Sequence, residues 1–119
     1  MRKRILVCDD EEGIRESLKL ILEKDYDLTF AQNGDEAIRA ARTSPADITI
    51  LDIKMPKKDG LETLKELKKL NPSSKVIIAT GYKSVDIAQE AMSLGASDYV
   101  VKPFDREKIR KVVQKYSQP

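Results

Sequence analysis

Histidine is absent from this 119-residue chain. No imidazole nucleophile, general base or metal ligand can come from within it, so imidazole chemistry must be supplied by a partner. Cysteine is nearly absent: the single Cys8 cannot form an internal disulfide, a usage that fits a reducing cytoplasm. Cys8 lies in an apolar segment, where a buried, inert thiol is expected. Apolar runs reach only a few residues, so no membrane-spanning segment is expected. The N-terminal MRKRILVCDD turns acidic before a secretory apolar stretch forms, so no signal peptide is expected either. A large charge of one sign is also missing. The net charge of +2 does not announce a nucleic-acid binder, although residues 102–119 hold six Lys/Arg against two acids.

What is present suits one globular domain over residues 1–119, with 40% apolar and 35% charged residues. The hydrophobic period switches repeatedly between two and three-to-four. RILVC (4–8), YDLTFA (26–31), DITILD (47–52), KVIIAT (75–80) and SDYVV (97–101) read as strands. Between and after them, apolar residues recur at helical spacing. The sets are Ile14, Leu18, Ile21 and Leu22; Ala37, Ile38 and Ala41; Leu61, Leu64, Leu67 and Leu70; Val85, Ala88, Ala91 and Met92; and Ile109, Val112, Val113 and Tyr116. Strands that alternate with helices predict an α/β fold, a parallel sheet covered on both faces by crossover helices. In such a fold the site lies beyond the C-terminal strand ends.

The segment LDIKMPKKDG (51–60) shows why that edge matters: an apolar strand delivers one carboxylate, Asp52, to the start of a Pro/Lys/Gly-rich loop. The other strand ends supply Asp9-Asp10 with Glu11 and Glu12 behind, Thr80-Gly81, Lys102-Pro103, and the chemically quiet Ala31-Gln32. Singly, each has a plain structural explanation: Asp9-Asp10 as a helix cap, Asp52 as a turn opener, Thr80 as a strand residue, Lys102-Pro103 as a loop. As a set they do not, because three carboxylates at one edge repel each other unless a cation or protons intervene. Carboxylates suit a hard divalent cation such as Mg²⁺, which usually takes one or two of them together with phosphate oxygens and water. With the Lys102 ammonium and Thr80 hydroxyl beside it, a carboxylate can attack phosphorus and hold the acyl phosphate. Gly81 would leave room for the incoming group.

ILVCDDEEGIR, ITILDIKMPKKDGLE, VIIATGY and LGASDYVVKPF resemble, in order and spacing, the receiver domains of bacterial two-component response regulators, over nearly the whole chain. The resemblance implies a doubly wound, flavodoxin-like sheet of five parallel strands in order 2-1-3-4-5 with five helices. It implies Asp52 as phosphoacceptor, and Mg²⁺ held by Asp10 directly, Asp9 through water, Asp52 and the backbone carbonyl of Lys54. Thr80 would bond the phosphoryl group, Lys102 would pair with it, and the Lys102-Pro103 peptide would be cis. As Thr80 is drawn inward, Tyr99 would fill the vacated space and alter the face of helix four, strand five and helix five. Lys54 and Tyr82, two residues beyond Asp52 and Thr80, would tune dephosphorylation, with Tyr82 shielding the phosphoryl group. Lys57 and Lys58 make the loop after Asp52 unusually basic, which suits either solvation or an acidic partner.

The expected function is thus a phosphorylation-switched signalling domain in the cytoplasm. Its donor is a histidine kinase or histidine phosphotransfer protein, and it does not itself bind nucleic acid or membrane. Charged residues on helices four and five are compatible with a symmetric dimer on phosphorylation. The alternative is a Mg²⁺-dependent aspartyl-phosphate phosphatase. Such enzymes usually place a second Asp two residues after the nucleophile, where this chain has Lys54. A flavin-binding domain of the same topology is set aside, because Asp9-Asp10-Glu11-Glu12 would repel phosphate.

Overall fold

The computed structural model describes residues 2–54, 59–81 and 84–118. Met55, Pro56, Lys57, Lys58 and Tyr82, on which several expectations rest, lie outside the described residues. Strands β1 (Arg4–Cys8), β2 (Asp27–Ala31), β3 (Ile48–Leu51), β4 (Lys75–Thr80) and β5 (Asp98–Val101) alternate with helices α1 (Glu12–Leu22), α2 (Gly34–Thr43), α3 (Gly60–Leu70), α4 (Val85–Ser93) and α5 (Arg106–Ser117). The strands form one sheet in order β2-β1-β3-β4-β5, every pair parallel. This is the doubly wound order expected above.

Period-two alternation sorts the strand residues into two cores. Leu6, Cys8, Leu51, Val76 and Ile78 pack with Ala37, Ile38, Leu64, Leu67 and Ala91 on the face covered by α2, α3 and α4. Ile5, Val7, Ile48, Ile50, Ile77 and Val100 pack with Leu18, Leu22, Ile109 and Val113 on the face covered by α1 and α5. Each helix but the first starts at a side-chain cap. Asn33, Asp59, Ser84 and Asp105 accept N–H groups that the first turn leaves without helical partners. At the start of α1 the cap residue is Glu11, whose own side chain makes no cap bond.

Helix α4 turns its expected apolar side partly outward. Val85 and Met92 are 70% and 46% exposed, whereas Ile87, Ala91 and Leu94 face the core. Both sets have helical spacing, and the helix buries the one that holds Ile and Leu against the sheet. Leu70, also expected inside, is 43% exposed at the last turn of α3. Among the described residues no helix is long and apolar enough to cross a membrane.

Candidate functional site

The C-terminal strand ends lie side by side because the ladder continues one residue past them. The Asp9 N–H donates to the Ala31 carbonyl (3.1 Å), the Asp52 N–H to that of Cys8 (2.9 Å) and the Lys102 N–H to that of Thr80 (2.8 Å). The quiet end of β2 thus anchors Asp9. Asp9 and Asp52 flank the point where the strand order reverses between β1 and β3. Both are 3% exposed, while Asp10 and Glu11 reach solvent.

Lys102 joins these groups. Its Nζ donates to Asp9 Oδ2 at 2.7 Å, Asp52 Oδ2 at 3.1 Å and Glu11 Oε1 at 3.2 Å. The remaining oxygens take backbone donors: Asp9 Oδ1 accepts the Glu11 N–H at 2.9 Å and Asp52 Oδ1 the Lys54 N–H at 3.0 Å. Burial raises the Asp9 carboxyl above its ordinary value, despite the Lys102 hydrogen bond and charge that act to lower it. Burial alone would lower Lys102, but its hydrogen bonds and charge pairing with Asp9 and Asp52 outweigh this and raise it. The ammonium therefore stays charged through the neutral range. The Lys102-Pro103 peptide is cis.

Thr80 completes the arrangement. It is fully buried, and among the described residues its Oγ1 has no hydrogen-bond partner. At the next residue, a Cβ on Gly81 would meet nothing within 4 Å. Tyr99 is half-buried on the same sheet face, in register with Ile78 two residues before Thr80. Cys8, behind the carboxylates, is fully buried, and its Sγ donates to the Asn33 carbonyl at 3.4 Å. Burial, reinforced by the Asp9 and Asp52 charges, pushes its thiol up to about 12, so it stays protonated and unreactive.

Oxygens of Asp9, Asp10, Glu11 and Asp52 all lie within 4.8 Å of one another. This all-carboxylate set fits a hard divalent cation. Glu11 is the member that sequence reasoning did not single out, since nothing in the run DDEE distinguishes it from Glu12. The structure also reveals Arg15, whose Nη1 donates to the Asp9 carbonyl at 2.9 Å.

Fold and site together define a phospho-signalling architecture, and the chain belongs to the response regulator receiver domain family, whose model matches residues 5–114. It is 40% identical over 117 residues to sporulation initiation phosphotransferase F of Bacillus subtilis, covering 98% of this chain and 94% of that protein. It is 43% identical over 107 residues to the transcriptional regulatory protein ZraR of Klebsiella oxytoca. That match takes in 89% of this chain and 24% of ZraR, so the chain spans about a quarter of such regulators. The chemotaxis protein CheY4 of Vibrio cholerae superposes with a TM-score of 0.92 at 28% identity, covering 98% of this chain and 99% of that one. Receiver domains serve two-component and phosphorelay signalling.

Proposed function

We propose that this chain is a phosphorylation-switched signalling domain that accepts a phosphoryl group on Asp52 from the phosphohistidine of a histidine kinase or histidine phosphotransfer protein. The carrying observation is the convergence at one sheet edge of a buried carboxylate, a charged ammonium in contact with it, and a buried hydroxyl that has no partner among the described residues. In the transfer an Asp52 carboxylate oxygen forms the O–P bond as the P–N bond of the donor breaks, and the bonding pair returns to the partner's imidazole. Lys102, by exchanging a carboxylate contact, and Thr80, by turning towards the group, supply donors for the phosphoryl oxygens and meet the charge that develops there. Asp9, Asp10, Asp52 and the Lys54 carbonyl are the groups that would hold Mg²⁺, which would neutralise negative charge at the site. Because the chain has no histidine, the donor is a separate protein or domain.

The output is a population shift. Thr80 turns towards the phosphoryl group, Tyr99 takes the space it leaves, and the surface of α4, β5 and α5 changes. Exposed Val85 and Met92 give α4 apolar area for the target that reads that surface. Intact mass after incubation with Mg²⁺ and a small acyl phosphate tests the chemistry. One phosphoryl adduct is expected on the wild type, none on Asp52→Asn, and none with chelator. An adduct on Asp52→Asn would place the nucleophile elsewhere.

A further inference from the structure

We infer that Arg15 is a positioning residue for the carboxylate cluster, which acts through the Asp9 carbonyl to set the direction in which Asp10 leaves the backbone; this rests on the Mg²⁺ reading of that cluster. Asp9 and Asp10 are held in opposite ways. Every polar group of Asp9 is engaged: its N–H with Ala31, its two carboxylate oxygens with the Glu11 N–H and Lys102, and its carbonyl with Arg15 Nη1. Asp10 is exposed, and its side chain makes no hydrogen bond or ion pair among the described residues. Its orientation therefore comes from its backbone.

The Asp9 carbonyl and the Asp10 amide share one planar peptide unit, so fixing that oxygen fixes the plane from which Asp10 starts. Arg15 does this with a charge-assisted bond. Its own N–H donates to the Glu11 carbonyl at 3.1 Å, so the same residue grips the loop on both sides of Asp10.

The charge of Arg15 meets opposing fields: the carboxylates of Asp9, Asp10, Glu11 and Asp52 attract it, while two other features oppose it. It lies at the first turn of α1, against the positive end of the helix dipole. It also adds positive charge near a proposed cation site. Among the described residues no carboxylate makes direct salt-bridge contact with it. Its polar contacts are with the backbone on either side of Asp10, which marks a role in the geometry of that loop.

The sign of one measurement separates geometry from charge. Calorimetric Mg²⁺ titration of the full chain compares wild type, Arg15→Met, which keeps the aliphatic stem, and Arg15→Lys, which keeps a cationic donor. A positioning role predicts Mg²⁺ binding weakened about tenfold in Arg15→Met, as for other residues that orient metal ligands. Arg15→Lys should recover part of the loss. Phosphorylation of Arg15→Met at saturating Mg²⁺ should return to the wild-type rate, so that the defect sits in the Mg²⁺ dependence and not in the limiting rate. Unchanged or tighter Mg²⁺ binding by Arg15→Met would overturn the inference, because removal of a bystander charge should strengthen binding. A wild type that binds no Mg²⁺ would instead bring down the reading of the cluster, and this inference with it.

Discussion

Asp9 is buried against Lys102, and burial raises its carboxyl above the ordinary value of 3.8 even with an ammonium in hydrogen-bond contact. Below that ordinary value Asp9 is protonated in both native and unfolded chains and stability is unaffected by it. As pH rises, the unfolded chain releases the proton first, the native state holds it longer, and stability falls until the native group has also ionised. Asp9→Asn is therefore expected to unfold at higher temperature than wild type at neutral pH in Mg²⁺-free buffer. The difference should vanish as pH falls below about 3.8. A less stable Asp9→Asn at neutral pH would show that the Lys102 pair outweighs the burial cost. Lys102 acts in the other range: its raised value makes its contribution complete below the ordinary lysine value of 10.5, and it is lost only as pH climbs above that. At this scale Asp9, Asp52, Thr80 and Lys102 were legible because each follows or closes a strand. Glu11 and Arg15 were not, since their roles depend on where a side chain lands across a loop.

Among the elements, the start of α3 governs the Asp52 loop. The Gly60 N–H donates to the Ile53 carbonyl at 3.2 Å, and a Cβ at Gly60 would lie 2.3 Å from the Ile53 Cα. Backbone cannot yield as a flexible side chain can, so a larger residue must push the helix away from the residue after Asp52. Gly60→Ala is expected to destabilise the chain by about 1–3 kcal/mol in denaturant unfolding. It should also slow phosphoryl transfer to Asp52, because Ile53 moves with the helix. An alanine variant as stable as wild type would show that this packing is looser than the distance implies. The sequence marks this place with Asp59-Gly60 as a helix start, but the approach of α3 to Ile53 spans seven residues and has no periodic signal. Helix α4 teaches the same lesson. Ala91 is buried as its spacing predicts, but contact with the sheet placed Ile87 and Leu94 beside it in preference to Val85 and Met92.

Across the whole molecule, the proposed signal must pass from a site at the β1–β3 edge to a surface built by α4, β5 and α5. Thr80 and Tyr99 bridge that distance on one face of the sheet, through adjacent strands β4 and β5. Tyr99→Ala should still take a phosphoryl group on Asp52, but the amide NMR shifts of α4 and α5 on phosphorylation should be lost. Shifts that spread as in wild type would show that the coupling runs elsewhere. The sequence by itself determined the order of strands and helices, the parallel sheet and the strand-end carboxylates, because periodicity and the need for crossover connections are local and strongly constrained. It also placed Asp52, Thr80 and Lys102 at one edge, since the C-terminal ends of parallel strands share that edge. Only the tertiary structure decided that Lys102 bonds Asp9, Glu11 and Asp52 together, that Thr80 has no partner among the described residues, and that Arg15 holds the Asp9 carbonyl. These are meetings of side chains from distant elements within a few ångströms, and such distances follow from packing, which no spacing along the chain encodes.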